Sequence, residues 1–131
     1  MNQGEEQEEI YRENILDHYK HPRNFGLLEP CSFQHREVNP LCGDEITLFV
    51  ELEHGKVKDV KFTGKGCAIS MASASLFTDK IKGMEIQQIK ALTQDDIMEM
   101  LGISVSITRM RCATLPLKTL FKGVATWEEH T

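Results

Sequence analysis

Apolar and polar residues alternate between positions 46 and 52, which is typical of a β-strand with one buried face. The apolar members of this run are Ile46, Leu48, Val50 and Leu52. The turn His54-Gly55 leads into a second run, whose one-residue slip predicts a β-bulge and whose apolar residues are Val57, Val60 and Phe62. A weaker alternation from Ser32 to Val38 predicts a further strand. We expect a small antiparallel sheet of about three strands, whose apolar face requires a cover.

Two amphipathic helices are predicted before and after these strands. The first runs from Glu5 to Lys20, where His21 and Pro22 end it. The second ends near Gly83 and presents one apolar face, formed by Ile69, Ala72, Leu76, Phe77 and Ile81. The apolar face of the sheet can be buried against these apolar helix faces, so we expect the helices to pack on the sheet.

Three further helices are predicted after Gly83. A short one spans Ile86 to Lys90, and the next has Thr93 as its N-cap and Gly102 as its end. The last is expected to begin shortly before Pro116, because a proline in a helix interior removes a hydrogen bond. Its apolar residues are Ala113, Leu117, Leu120, Phe121 and Val124. The prediction is an α+β fold, in which a small antiparallel sheet packs against helices.

The length of the chain indicates a single domain over residues 1–131. Its 40% hydrophobic and 27% charged residues are typical of a globular protein. The net charge is -5, and the acidic residues crowded into residues 1–9 predict a mobile acidic tail. A nucleic-acid-binding protein normally displays a basic face, so that class is not expected. No apolar run approaches the roughly 20 residues of a membrane span and no signal-peptide pattern opens the chain, which predicts a cytoplasmic protein without membrane partners.

The four cysteines offer the most reactive chemistry in the chain, at Cys31, Cys42, Cys67 and Cys112. Structural disulfides are uncommon in a reducing compartment, so these residues indicate metal binding, thiol chemistry or core packing. Their spacing does not decide between these roles, because the chain has no Cys-x-x-Cys pair of the zinc-ribbon kind.

Three of the cysteines are predicted at turns or helix starts. Cys42 and Asp44 lie close together in a loop before the strongest strand, and Cys67 follows two glycines at a strand-to-helix junction. Cys112 is expected just before or within the first turn of the last helix. A helix N-terminus favours the thiolate, as do nearby cations such as Lys65, Arg109 and Arg111. Three thiolates and one carboxylate suit Zn²⁺, Fe²⁺ or a [2Fe–2S] cluster, and the alternative is that the cysteines are small core residues.

Four segments of the chain resemble the motifs of one known family. They read DHYKHPRNFG at residues 17–26, NPLCGD at 39–44, GKGCAISMASAS at 64–75 and RCATL at 111–115. The segments occur in the family's order and at compatible separations, and the resemblance covers about residues 11–123. The chain is therefore similar to the iron–sulfur cluster assembly scaffolds of the IscU/SufU/NifU N-terminal type.

The resemblance implies an IscU-like fold, also related to SufE, and a set of ligands. These ligands are Cys42, Asp44, Cys67 and Cys112, which would hold a transient [2Fe–2S] cluster, or Zn²⁺ or Fe²⁺ in the same site. It also implies partners: a cysteine desulfurase of the IscS/SufS type that passes persulfide sulfur to Cys112, an iron donor, and apoproteins that accept the cluster. The implied role is that of a scaffold and sulfur acceptor rather than of a true enzyme, with Asp44 making the cluster easier to release.

Arg111 is a departure from the family pattern. Many members of the IscU branch have a histidine ligand at this position, whereas an arginine stays protonated and cannot bind a metal. This favours the SufU branch and an alternative function, a zinc-dependent sulfurtransferase that accepts persulfide sulfur. The SufU branch usually has an insertion between its last two site cysteines, and the segment from Cys67 to Cys112 leaves no room for one, so the branch stays open. A third interpretation is a structural zinc site in an interaction domain.

Other residues are predicted to stand outside the site. Residues 105–109 lack the prolines and the lysine of the chaperone-binding motif of IscU-type scaffolds, so dependence on a dedicated Hsp70-type chaperone is not expected. Cys31 matches no ligand of the family. His18 and His21 are expected to pack or cap at a helix end rather than to bind metal.

Overall fold

The structure is a computed structural model that describes residues 3–130, with side chains from Glu9 onward. Within these residues the order of elements is α1 (Gln3–Lys20), β1 (Phe33–Asn39), β2 (Asp44–Glu53), β3 (Lys56–Lys65), α2 (Ala68–Ile81), α3 (Ile86–Lys90), α4 (Gln94–Leu101) and α5 (Ile107–Glu129). α1 begins at Gln3, inside the segment predicted as a mobile acidic tail, while Met1 and Asn2 lie outside the described residues. The mobility of that tail stays a prediction. No helix in residues 3–130 combines the length and the apolar composition needed to cross a membrane.

The three strands form one antiparallel sheet in the order β1-β2-β3, as their alternation predicted. β1 pairs with β2 along its whole length, from Phe33 opposite Val50 to Asn39 opposite Asp44. The predicted bulge is present between β2 and β3, where the register shifts after Glu51. One face of the sheet is fully buried, at Ile46, Leu48, Val50, Val60 and Phe62. The predicted α+β fold is confirmed.

Helices α2 and α5 cover the buried face and pack against each other. α2 comes close to its neighbours because it is lined with small buried residues, Ser70, Ala72, Ser73, Ala74 and Ser75. The Ser73 hydroxyl donates a hydrogen bond of 2.6 Å to the carbonyl of Ala113. This bond joins α2 to α5 one residue after Cys112. It therefore holds α5, which contains Cys112, against α2, which begins directly after Cys67.

Helix α4 has the caps that its sequence predicted. The Thr93 hydroxyl accepts from the amide of Asp96 at 3.3 Å, and the Asp96 carboxylate accepts from the amide of Thr93 at 2.8 Å. Gly102 ends the helix in the left-handed region with φ 72°, and a Cβ built on it would clash with the ring of Tyr11, most closely with its Cδ1. Only glycine fits both the backbone and the contact at this position.

Helix α5 begins earlier than predicted. Its N-cap is Ser106, whose hydroxyl accepts from the amide of Arg109 at 3.2 Å, and Pro116 lies in the helix interior. The prediction of a start shortly before Pro116 was wrong because a proline removes only one intrahelical bond, here the one to the carbonyl of Cys112. The apolar face of α5, buried on the sheet and α2, outweighs that loss. Cys112 is consequently in the second turn of the helix and not at its N-terminus.

The segment that follows α1 has a structural role. His18 is 7% exposed, and its Nδ1 lies 2.7 Å from the hydroxyl of Ser75 on α2. Ser75 Oγ also accepts from the amide of Arg23 at 2.8 Å, so one hydroxyl of α2 contacts both α1 and the segment that follows it. Burial lowers the pKa of His18, with Arg23 adding to the effect, which favours the neutral ring. The predicted packing role of His18 is confirmed, and His21 is exposed.

Candidate metal centre

Three separate parts of the chain meet where the sheet and the helices α2 and α5 come together. Cys42 lies in the loop between β1 and β2, and Asp44 is the first residue of β2. Cys67 is the N-cap of α2, directly after β3, as predicted. Cys112 approaches from α5, which packs on both β1 and α2. All four residues named from the sequence are therefore in one region, although 70 positions separate the first from the last.

Asn39 organises the loop that carries Cys42. Its backbone carbonyl accepts from the amides of Cys42 at 3.3 Å and Gly43 at 2.8 Å, and its side-chain oxygen accepts from the amide of Leu41 at 3.3 Å. The same side chain, 5% exposed, donates from Nδ2 to the sulfur of Cys112 at 3.7 Å. Sequence reasoning did not name Asn39 as a site residue. The signal for its turn-forming role was an asparagine two residues before Leu41, a spacing typical of an Asx-turn.

Asp44 is the residue that most clearly prepares the site for a cation. It is 1% exposed, and its Oδ1 accepts from the amide of Cys67 at 2.9 Å. Its other oxygen, Oδ2, is buried and has no hydrogen-bond partner within the described residues. A buried acceptor is nearly always satisfied by a donor, a water molecule or a metal ion. The free oxygen of Asp44 therefore fits a role as a metal ligand.

The ligand atoms of Cys42, Asp44 and Cys112 lie within 4.8 Å of one another, and the side chains described, from residue 9 to residue 130, contain no other group of three with this arrangement. Ligand atoms around a tetrahedral Zn²⁺ are about 3.3–3.8 Å apart, given its bond lengths. A closing movement of about 1 Å satisfies that geometry. Thiolate and carboxylate donors suit Zn²⁺ and Fe²⁺, so the residues present fit such an ion.

Cys67 stands beside this group of three rather than within it. Its thiol donates to the hydroxyl of Ser70 at 3.7 Å and also hydrogen-bonds with Cys112. Burial raises the pKa of Cys67, but the amide and hydroxyl of Ser70 and the thiol of Cys112 can donate to its thiolate form and outweigh burial, so the pKa is lowered. The shift is in the direction predicted for a cysteine at the start of a helix.

Cys112 differs from the prediction. It is fully buried, and burial raises the pKa of its thiol, with the neighbouring Asp44, Cys67 and Cys42 adding to the effect. The expectation of a thiolate favoured by a helix N-terminus was wrong for Cys112, because the residue sits in the second turn of α5 and away from water. In the metal-free protein Cys112 therefore holds its proton longer than Cys67 does.

The cation closest to the sulfurs is Arg109 and not Arg111. The neighbouring sulfurs of Cys67 and Cys112 raise the pKa of Arg109, through charge and through hydrogen bonds to its guanidinium. Arg111 instead lines a separate cavity with Val38 and Pro40. The sequence placed both arginines near Cys112, but residues two positions apart on a helix point in nearly opposite directions.

The four cysteines differ in their access to solvent. Cys42 is exposed, Cys67 and Cys31 are half-buried, and Cys112 is buried. Cys31 is not part of the group of ligand atoms, and burial, with Glu29 and Glu51 nearby, raises the pKa of its thiol. Any molecule that reaches the centre from outside therefore meets Cys42 first.

Replacing Gly66 with alanine is expected to lower the affinity for Zn²⁺ by about 10–100-fold, the usual effect of disturbing the partners of a metal ligand. A Cβ at this position would lie 2.9 Å from Cγ of Asp44, and closer still to Oδ1 of Asp44 and the hydroxyl of Ser70. The carboxylate would have to move and lose its bond to the amide of Cys67. Competition with a chromophoric chelator measures the change.

Gly43→Ala is the matched control, because it adds the same methyl group in the same region. A Cβ on Gly43 meets nothing within 4 Å, although the φ of 71° is unfavourable for alanine. We expect a loss of stability of about 1–2 kcal/mol, from backbone strain, and little change in metal affinity. Equal losses of affinity in the two variants would show that Gly66 does not act through Asp44.

Comparisons with known proteins show the relatives of this chain. The family described as NifU-like N terminal domain matches residues 10–131. A Bacillus subtilis protein named zinc-dependent sulfurtransferase SufU is 41% identical, over 88% of this chain and 90% of its own. An Archaeoglobus fulgidus protein named iron-sulfur cluster assembly scaffold protein IscU 1 is 30% identical, over 88% of this chain and 74% of its own.

Solved structures show the same fold. A crystal structure from Fervidobacterium islandicum, named as a candidate iron-sulfur cluster assembly scaffold protein for the SUF system, is 30% identical, with a TM-score of 0.75 over 88% of this chain and 97% of that one. The N-terminal part of a NifU-like protein from Brucella abortus is 18% identical, with a TM-score of 0.78 over 95% of this chain and 98% of that one, and shows the fold alone. With a family match across nearly the whole sequence and these relatives, the chain belongs to the NifU-like N-terminal domain family.

Proposed function

We propose that this protein is an iron–sulfur cluster assembly scaffold, which accepts sulfur from a cysteine desulfurase, binds iron and forms a transferable [2Fe–2S] cluster. The observation that carries this proposal is the convergence of Cys42, Asp44 and Cys112, with one buried oxygen of Asp44 left without a donor. Cys67 beside them supplies a fourth donor. Iron–sulfur clusters are held mainly by cysteine thiolates, so the set of residues suits this cargo.

The arrangement also suits release of the cargo. A carboxylate is a poorer ligand for a cluster than a thiolate, so Asp44 in place of a fourth cysteine weakens the hold. Cys42 is on an exposed loop, whereas Cys112 is anchored in the core on α5. A site with one side open and one side fixed allows the cluster to form on the protein and then leave.

The same residues would hold Zn²⁺ in the absence of iron: Cys42, Asp44, Cys67 and Cys112. Bound Zn²⁺ keeps its cysteine ligands deprotonated near neutral pH. The ion that the protein holds in the cell, the iron donor, the accepting apoproteins and the cytoplasmic location stay predictions, as do the absence of nucleic-acid partners and the independence from a dedicated chaperone.

Zinc-dependent sulfur transfer is the second candidate function, and a specific observation favours it. Arg111 occupies the position where many IscU-type scaffolds have a histidine, and its side chain points away from the sulfurs into another cavity. The 41% identity with a zinc-dependent sulfurtransferase extends over 88% of this chain. The third interpretation, a structural zinc site, has less support because Cys42 is exposed rather than enclosed.

The cysteine that accepts sulfur was predicted to be Cys112. Its complete burial makes it difficult to reach, so we propose that Cys42 receives the sulfur first. The Cys42 thiolate attacks the outer sulfur of the donor's persulfide. The donor's S–S bond breaks, its cysteine leaves as a thiolate, and the sulfur remains on Cys42 as a persulfide, with no net oxidation or reduction.

Anaerobic reconstitution tests the proposed function. Metal-free protein is incubated with a cysteine desulfurase, cysteine, ferrous iron and a thiol reductant that supplies the electrons for sulfide formation. We expect visible absorption and Mössbauer spectra of a [2Fe–2S] cluster, and the same yield from the Cys31→Ser control, because Cys31 stands outside the site. Failure to form the cluster, while zinc-loaded protein still stimulates desulfurase turnover, would replace the scaffold function with the second candidate.

Mass spectrometry of the same mixture, without iron and without the thiol reductant that would remove the sulfur, identifies the accepting cysteine. We expect the additional sulfur on the peptide that contains Cys42. If a Cys42→Ser variant acquires sulfur on its Cys112 peptide as fast as the unmodified protein acquires sulfur, Cys112 is the acceptor, as the sequence predicted.

A further inference from the structure

Helix α5 is strongly basic in an otherwise acidic protein. From Ile107 to Trp127 it contains no acidic residue, while its basic residues are Arg109, Arg111, Lys118 and Lys122. The formal net charge of the whole chain is -5. A helix surface that carries only positive charges creates a local positive potential, which attracts negatively charged partners as they approach.

Three of these cations lie on the same side of α5. Arg111, Lys118 and Lys122 are separated by seven and then four positions, so at about 100° per residue they point within about 40° of one another. At about 1.5 Å per residue they form a row about 16 Å long, which we call the basic row. Arg109 does not belong to it, because its side chain turns to Cys67 and Cys112.

The basic row is only partly neutralised by the rest of the molecule. Glu37 on β1 lies 3.4 Å from Lys122 and 3.9 Å from Lys118, so one carboxylate serves two lysines. Glu37 also hydrogen-bonds His35 at 2.8 Å. Arg111 has no ion pair or hydrogen bond among the residues that the structure describes. The row therefore keeps an excess of positive charge toward solvent.

A cavity of about 310 Å³ opens between Arg111 and Lys118. One of its other walls is formed by the end of β1 and the start of the loop that carries Cys42, with Val38, Asn39 and Pro40. The remaining wall is formed by Thr114 and Leu115 of α5. The walls are mixed apolar and polar and include the two cations, which matches a side chain with an aliphatic stem and a terminal carboxylate. Since Asn39 contacts the sulfur of Cys112, the cavity adjoins the candidate metal centre.

We propose that the basic row and its cavity form the docking surface for an acidic segment of the protein that delivers sulfur, with a glutamate or aspartate side chain in the cavity. This inference rests on the proposed function, which supplies the sulfur donor. The net charge of -5 opposes binding of a long polyanion such as nucleic acid, which would extend beyond the basic row. A short acidic segment would contact only the basic row and would avoid this repulsion. A partner held there is beside the loop that exposes Cys42.

The test compares two double variants that change the net charge equally. Arg111→Glu with Lys118→Glu reverses the basic row, and Lys20→Glu with Lys80→Glu reverses two exposed lysines at the far ends of α1 and α2. Each pair of substitutions takes the formal charge from -5 to about -9, since each change removes one positive and adds one negative charge. Stopped-flow mixing with a cysteine desulfurase measures the association rate of the zinc-loaded proteins at low and high salt.

We expect reversal of the basic row to slow association about tenfold or more at low salt, and the control pair to change it less than about threefold. The difference should shrink at high salt, where charges are screened. Zinc content and thermal melting verify that both variants are folded. Arg111→Gln with Lys118→Gln, a milder change, should slow association by an intermediate factor.

Three results would overturn the inference in different ways. Equal association rates for the two double variants, with the unmodified protein still binding the desulfurase, would show that the docking surface is elsewhere and leave the proposed function intact. Absence of any complex with the unmodified protein would contradict both. If reversal of the row changes only self-association, seen by sedimentation, the face is a contact between copies of this chain and the acidic partner is ruled out.

Discussion

The Cys112→Ala variant is expected to bind Zn²⁺ on the order of 1,000-fold more weakly than the unmodified protein, because removal of a ligand exceeds the 10–100-fold effect of removing a ligand's partner. The sulfur of Cys112 lies within 4.8 Å of the ligand atoms of Cys42 and Asp44, and Cys67 is also its neighbour, so it is central to the donor set. It is fully buried, and a water molecule would have to enter the core to replace it. Titration of metal-free protein against a chromophoric chelator, under anaerobic reducing conditions, gives the two affinities.

Cys31→Ala is the matched control for this experiment. Cys31 is a half-buried cysteine of the same protein but lies outside the group of ligand atoms, so its removal should change the affinity by less than about twofold. Thermal melting of both metal-free variants separates loss of a ligand from loss of the fold. A Cys112→Ala protein that is folded and binds Zn²⁺ like the unmodified one would remove Cys112 from the metal centre.

Phe62→Ala is expected to cost about 3–5 kcal/mol in the free energy of unfolding, as is usual for a buried aromatic residue. Phe62 is fully buried on β3, and its ring meets that of Phe25 edge to face, with centroids 5.3 Å apart. Its backbone also bonds the segment after α1: the carbonyl accepts from Gly26 at 2.8 Å and the amide donates to Asn24 at 2.9 Å. Urea denaturation of metal-free protein measures the loss.

Phe25→Ala removes the other ring of the same pair and serves as the control. Phe25 is 51% exposed, so its removal deletes the ring contact but opens no cavity in the core. We expect a cost of about 0.5–1.5 kcal/mol. Similar losses in the two variants would indicate that the ring pair, and not burial of Phe62 beneath the helices, is what stabilises this side of the sheet.

The sheet and most helices could be predicted because their patterns are local. The period-two alternation of β2 and the Thr93 and Gly102 caps of α4 depend on neighbouring residues, and both were correct. The start of α5 was wrong because the penalty for Pro116 was weighed without the burial of the helix. Ser106 was a weak signal for the true start, since no acidic residue follows it in the first turn.

The identities of the site residues could be predicted, but not how they are arranged. The motifs named Cys42, Asp44, Cys67 and Cys112, and the structure brings three of their ligand atoms together with Cys67 beside them. Burial of Cys112, the approach of Arg109 and the bond from Asn39 depend on how α5 lies against β1. Contacts between elements distant in sequence cannot be read from the residues near each cysteine.

The unpartnered oxygen of Asp44 has a consequence for the free energy of the empty protein. A buried acceptor without a donor costs about 1–3 kcal/mol, and the carboxylate cannot turn to water without giving up its bond to the amide of Cys67. Any cation or cargo that binds Oδ2 recovers this energy. One atom thus raises the free energy of the empty protein, and under the proposed scaffold function this would favour uptake of the next cargo after each release.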